Sequence, residues 1–139
     1  MGLISWLRTL LGSARNGPEW SVATGDEDGH PLVVRTRVSA PQGMSLASYP
    51  ATLELVWRFD GEDNGGMPPS DLLPRLDQFE DLIGAFEGPA NGLLGITITG
   101  NGRREWVWYV ADSDSFAARV QTAISASSTP CPVQVRKGR

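Results

Sequence analysis

The sequence is poor in the side chains that most reaction chemistries use: its 139 residues include one cysteine, one histidine and a single lysine. Cys131 alone excludes an internal disulfide, and with only His30 beside it the chain lacks the Cys and His ligands of a structural zinc site. A reducing, cytoplasmic setting fits. No Gly-x-Gly-x-x-Gly and no Walker-type Gly-Lys-Ser/Thr occurs, which removes the usual phosphate cradles. A hydrolytic triad could draw only on His30, Asp28 and a distant serine, with no Gly-x-Ser-x-Gly elbow to present it. Cys131 stands between Pro130 and Pro132 without a neighbouring base and reads as a buried strand cysteine. The carboxylates are numerous, but their positions in a loop and on a helix flank suit solvation better than a glycosidase pair. No cofactor or metal is expected.

Long apolar runs are lacking too. Met1–Leu11 is apolar but too short to span a bilayer, and no small-residue cleavage site follows it. Trp6 occupies the place where a myristoylation motif needs Ser or Thr. Leu3, Ile4, Leu7, Leu10 and Leu11 share one helical face opposite Ser5, Arg8 and Thr9, so residues 1–11 are read as a short amphipathic leader helix. The linker-like stretch Gly12–Pro18 then separates it from the rest, giving a leader over 1–18 and one domain over 19–139. That leader is expected to dock on the domain, on a partner or at a membrane surface.

What the chain does have is enough apolar content, 40%, for one packed core, and five tryptophans spread along it. Sixteen acidic against twelve basic residues give a net charge of −4. The molecule therefore repels nucleic acid at long range and favours a basic partner.

Patterning predicts a hairpin from strands over 20–24 and 32–38, joined by the acidic turn Asp26-Glu27-Asp28-Gly29. In its second strand Leu32, Val34, Thr36 and Val38 alternate with Val33, Arg35 and Arg37, which sends the arginines away from the core. A third strand over 52–59 points Leu53, Leu55, Trp57 and Phe59 inward and Thr52, Glu54, Val56 and Arg58 outward. The acidic, glycine-rich segment 60–66 reads as a flexible loop. A helix follows, capped by Ser70 or Asp71 with Pro74 in its first turn, and buries Leu72, Leu76, Phe79, Ile83 and Phe86. Leu94, Ile96 and Ile98 open a fourth strand, and Asn101-Gly102 is the dipeptide a tight hairpin turn prefers, so a fifth strand over 103–110 pairs with it. Trp106, Trp108 and Val110 face the core; Glu105, Val107 and Tyr109 face out. Asp112 to Ser115 cap a second helix with Phe116, Ala117, Val120, Ala123 and Ile124 inside, and a last strand runs over 131–135 before a frayed basic tail.

The order from residue 52 is β-α-β-β-α-β, so the expected fold is α+β: a ferredoxin-like plait with an extra N-terminal hairpin and the leader helix. Two helices cover one sheet face. The other is expected to carry Glu54, Arg58, Thr97, Thr99, Arg35 and Arg37.

Leu94 to Val110, with its Gly100-Asn101-Gly102-Arg103-Arg104-Glu105-Trp106-Val107-Trp108-Tyr109 core, resembles the central signature of a bacterial family, domain of unknown function 695. Gly29-His30-Pro31, Tyr49-Pro50-Ala51-Thr52-Leu53, Gly66-Met67-Pro68 and Leu76-Asp77-Gln78-Phe79-Glu80 are similar to that family in the same order, so the likeness spans roughly residues 19 to 125 by order of motif. The family is similar in architecture to the regulator of ribonuclease activity B, a small acidic protein that inhibits an RNA-degrading enzyme by contact. The resemblance implies an inhibitor-like role here. The chain departs from the family pattern at Arg136-Lys137-Gly138-Arg139.

The functional readings follow from charge. Between Glu54 and Glu87 stand nine acidic residues against Arg58 and Arg75, and Asp77, Glu80, Asp81 and Glu87 line one flank of the first helix. With the open sheet face around Glu54, Arg58, Arg103, Arg104, Glu105 and Tyr109, they form the expected partner-binding surface for a basic protein of the nuclease or toxin class. The chain then acts as a non-enzymatic, protein-binding inhibitor, or as an immunity protein against a bacterial toxin. A small hydrolase or an RNA-binding sheet, with Trp106, Trp108 and Tyr109 stacking bases, are the competing readings. The alternation that buries both tryptophans, together with the negative charge, opposes RNA.

Overall fold

The structure is a computed structural model that describes residues 20–138. The leader and linker lie outside the described residues, as does Arg139.

Strand β1 (Trp20–Glu27) turns at Asp28-Gly29 into β2 (His30–Arg37). Both turn residues have positive φ, 52° and 79°, the backbone a two-residue hairpin requires. Asp26 and Glu27 thus belong to the strand, which is three residues longer than the acid-rich composition suggested. After a connection with one 3₁₀ turn come β3 (Ala51–Arg58), a second 3₁₀ turn at Glu62–Asn64, and helix α1 (Leu73–Gly84). The chain continues through β4 (Gly92–Gly100), β5 (Arg103–Val110), helix α2 (Ser113–Ala126) and β6 (Val133–Lys137). All strands form one antiparallel sheet in the order β1-β2-β4-β5-β3-β6. The fold class is α+β.

Both helices lie on one face. Leu76, Phe79 and Ile83 of α1 and Phe116 and Val120 of α2 pack against Leu53, Leu55 and Trp57 of β3 and Trp106, Trp108 and Val110 of β5. Phe79 sits edge-on between Trp57 and Trp106, with ring centroids at 5.9 and 5.0 Å. Each such contact adds roughly 0.5–1.5 kcal/mol to the burial of the rings. The Asn101-Gly102 turn, φ 49° and 81°, closes β4 on β5 as the dipeptide predicts.

Several local expectations change. Neither Ser70 nor Asp71 caps α1: the N-cap is Leu72, without a side-chain bond, because the turn from Pro69 delivers the chain one residue further on. The segment 60–66 is built, not loose: Gly66 N–H donates to Gly61 O and Gly102 N–H donates to Gly66 O, which ties it to the β4–β5 turn. The last strand starts at Val133, two residues late, and includes Arg136 and Lys137, so the tail is paired to β3 through Lys137. Cys131 is left in the preceding loop, half-buried.

The largest correction concerns which way two strands face. Val33, Arg35 and Arg37 of β2 lie on the helix-covered side, cross-strand from Thr99 and Thr97 for the first two. A β-bulge between Leu94 and Ile96 causes part of this. It keeps Leu94 inward opposite Trp108 and then reverses the alternation, so that Thr97 and Thr99 turn inward and Ile96 and Ile98 outward. Because side chains alternate with a period of two, one inserted residue exchanges the faces of all that follow.

Asp112 caps α2 as predicted, accepting from the backbone N–H of Asp114 and Ser115. Asp112→Ala is expected to lower stability by about 1 kcal/mol, read as a fall in the urea midpoint at unchanged slope.

Candidate functional site

The inward turn of β2 places charge in the core. Arg35 Nη2 donates to Glu80 Oε1 at 2.7 Å and to Thr97 Oγ1 at 3.2 Å. Trp106 Nε1 donates to the same carboxylate oxygen at 2.8 Å. Glu80 is only 2% exposed, so a residue expected on a solvated ridge is instead the meeting point of α1, β2 and β5. Its place next to the Leu76-Phe79-Ile83 stripe explains this: on a helix, residue 80 neighbours 76 and 83 and faces the sheet with them.

Arg104 joins the same layer. Its Nε donates to Thr99 Oγ1 at 2.9 Å, and its Nη1 lies 3.5 Å from Asp77 Oδ1. Burial, reinforced by Arg35, pushes the Arg104 guanidinium down to about 10, against the pull of Glu80 and Asp77. It remains a cation at neutral pH. Burial likewise raises Asp77, with Glu80 and Asp81 adding to it and Arg104 and Arg35 opposing. Arg104 was expected among the partner-binding residues; its cross-strand partners Thr99 and Trp57 fix it on the helix-covered side, in phase with Trp106.

Arg37 makes a second bracket. Its Nη2 donates to Glu87 Oε2 at 2.6 Å and its Nε to Leu94 O at 3.1 Å, while Leu94 N–H donates to Glu87. Arg37 and Glu87 thereby clasp the strand beside its bulge. The Trp20 ring lies 4.4 Å from the Arg37 guanidinium carbon and 5.4 Å from that of Arg35. Of the four ridge carboxylates, Asp81 alone is left fully exposed.

The open face holds the remaining candidates. A row of alternating charge crosses it: Glu27 on β1, Arg103 and Glu105 on β5, Arg136 on β6 and Glu54 on β3, linked at 3.0, 3.5, 3.6 and 3.2 Å. Beside it run the half-buried Val34, Ile96, Ile98 and Val107, with Val56 covered at 1% exposure, Tyr109 at the far end and Arg58 exposed at the strand terminus. Glu54, Arg58, Arg103, Glu105 and Tyr109 therefore do share one surface. Sequence reasoning missed Glu27 and Arg136, because one was assigned to a turn and the other to a frayed end. An acidic residue in phase with β1 was the available signal.

His30 and Cys131 are not brought together. His30 is exposed where β2 begins, Cys131 precedes β6, and β4, β5 and β3 lie between those strands. At about 4.8 Å per strand that is a separation of roughly 19 Å across the sheet.

A family model for a family of unknown function, DUF695, matches residues 18–135. The chain belongs to the DUF695 family. Comparison with the curated proteins and with the solved structures found no match. No helix among the described residues of this DUF695 domain is long and apolar enough to cross a membrane.

Glu80→Ala leaves Arg35 and the Trp106 N–H facing an empty site and is expected to cost about 3–5 kcal/mol. Arg35→Met with Glu80→Met is expected to cost clearly less than the two single changes summed, in a double-mutant cycle of urea midpoints. Asn101 and Arg103 hold the Glu27 carboxyl below its ordinary range, Asn101 through its hydrogen bond and Arg103 through its charge. Its stabilising contribution is therefore present above the unfolded-state value and lost as the pH falls through the lower folded one. Glu27→Gln is expected to lower Tm at neutral pH and to shrink the further fall in Tm between about pH 5 and pH 3.

Proposed function

We propose that this DUF695 domain is a non-enzymatic protein-binding module that inhibits or regulates a basic partner in the cytoplasm. The observation that carries this reading is the segregation of charge. Among the described residues nine acidic ones are exposed (Asp26, Asp28, Asp60, Glu62, Asp63, Asp71, Asp81, Asp112 and Asp114), against three basic ones, Arg58, Arg119 and Lys137. Arg35, Arg37, Arg103 and Arg104 are each paired with a carboxylate, so among the described residues the uncompensated charge lies on these exposed acidic groups. Such a surface speeds encounter with a positively charged protein and disfavours nucleic acid.

The strand order β6-β3-β5-β4 with α1 and α2 between the outer pairs supports a ferredoxin-like plait extended by the β1–β2 hairpin. A plait with helices on one side leaves the other sheet face available. There the charge row and the aliphatic band supply the polar rim and apolar centre that protein interfaces combine. The docking residues in this reading are Glu54, Arg58, Arg103, Glu105 and Tyr109, with Asp81 and the 60–63 loop steering the approach. Asp77, Glu80, Glu87 and Arg104 support the frame instead.

The test is affinity capture on the immobilised full chain, with extract of the source organism, at about 50 and about 500 mM salt, where screening lengths differ several-fold. A basic protein is expected to be retained at low salt and released at high salt. Asp60→Lys, Glu62→Lys and Asp63→Lys together, at positions outside the core, are expected to weaken its retention by roughly tenfold or more. Identical capture by the variant at both salts, or capture only of acidic proteins, refutes the proposal. A toxin as the retained protein makes the role that of an immunity protein.

A further inference from the structure

On the open face, where β2, β4 and β5 meet the β2–β3 connection, lies an apolar hollow of about 210 Å3. Its floor is the Tyr109 ring lying on Gly95. A Cβ at Gly95 would stand 2.2 Å from that ring, so only glycine lets the tyrosine lie flat. The bulge beside Leu94 places the glycine there. Its rim carries Val38 and Leu46, 65% and 55% exposed, the two most exposed large hydrophobic side chains among the described residues. Residues 38–53 contain no charged side chain, and Arg37, the one charged residue lining the hollow, is already paired with Glu87. Exposed aliphatic groups around an apolar depression mark a place where something apolar binds.

We propose that this hollow seats the apolar side of the chain's own leader, residues 1–11. Position favours it. The residues before Trp20 join β1 at the end where Trp20 pairs with Arg37, and Thr36 and Val38 on either side of Arg37 line the hollow. Neighbouring strands stand about 4.8 Å apart, so the leader's point of attachment is one strand from the rim. Residues 12–19 span at most about 29 Å when extended, ample to return residues 3–11 over Val38, Leu46 and Ile96. Chemistry favours it as well. Leu3, Ile4, Leu7, Leu10 and Leu11 fall on one helical side, and residues 1–11 contain no acidic group and only Arg8 as a charge. The rival seat is the groove along α2 lined by Phe86, Ala118, Thr122 and Ala123. That groove is larger, about 370 Å3, but it is edged by Arg119 and offers no strongly exposed large hydrophobe. The inference does not rest on the basic-partner reading.

Trypsin cleavage after Arg8, in the otherwise native full chain with Arg15→Gln removing the linker site, reads the seating, since a docked segment is cut only when it opens. Cleavage in the native protein is expected to be slow, and Leu46→Glu to speed it by about tenfold or more, the change expected when one leucine-sized contact is lost. Leu46→Met keeps cleavage slow, and Ala123→Glu leaves it at the native rate. Circular dichroism and Tm confirm that each variant folds, as the exposure of Leu46 predicts. Equal cleavage of the native protein and Leu46→Glu overturns the proposal. So does acceleration by Ala123→Glu alone, which moves the seat to the α2 groove. A native dimer that Leu46→Glu dissociates without altering cleavage assigns the hollow to a second copy, and overturns it too.

Discussion

One carboxylate holds the layers of this domain in register. Glu80 of α1 accepts from Arg35 of β2 and from Trp106 of β5, and so joins a helix, the added hairpin and the central sheet at a single buried point. A charge taken out of water is tolerated only when its hydrogen bonds are met, and the geometry that meets them is narrow. β2 has to present its odd-numbered residues inward, β4 has to bring Thr97 alongside, and α1 has to lie with residue 80 toward the sheet. Aliphatic packing alone accepts several registers; this pair accepts one.

The remaining polar contacts extend the same constraint. Arg104, Thr99 and Asp77 form a second rung next to the first, and Arg37 with Glu87 clasps the strand where it bulges. The bulge then has consequences on both sides of the sheet. Inward, it turns two threonines toward the arginines. Outward, it presents Ile96 and Ile98 and leaves Gly95 under the Tyr109 ring. A single irregularity in β4 thus shapes the core network and the face proposed for binding.

Drawing arginines inward also sets the electrostatics of the exterior. Composition gives a modest negative charge, but a buried arginine paired with a buried glutamate contributes little to the outer field. Among the described residues the exposed charge is mainly that of Asp26, Asp28, the 60–63 loop, Asp71, Asp81, Asp112 and Asp114. Because each buried arginine takes a carboxylate with it, the count of charges sets the sign of the exterior, and the fold decides where the unpaired carboxylates stand.

Much of this was legible in the sequence because it depends on neighbours along the chain. The helical spacing of Leu76, Phe79 and Ile83, the strict alternation of β3 and β5, the Asn101-Gly102 turn and the Asp112 cap are local signals, and each element formed where they indicate. The Tyr109–Glu105–Glu54 surface was readable for the same reason. The facing of Arg35, Arg37, Thr97, Thr99 and Arg104 was not. Arginine on an amphipathic strand points to water by default, and only a carboxylate 45 residues away, delivered by α1, makes the opposite orientation favourable for Arg35. Sequence thus determined the elements, their order and the apolar core. Tertiary structure decided which polar groups the core would accept, because the free energy of a buried charge is set by a partner that lies elsewhere in the chain.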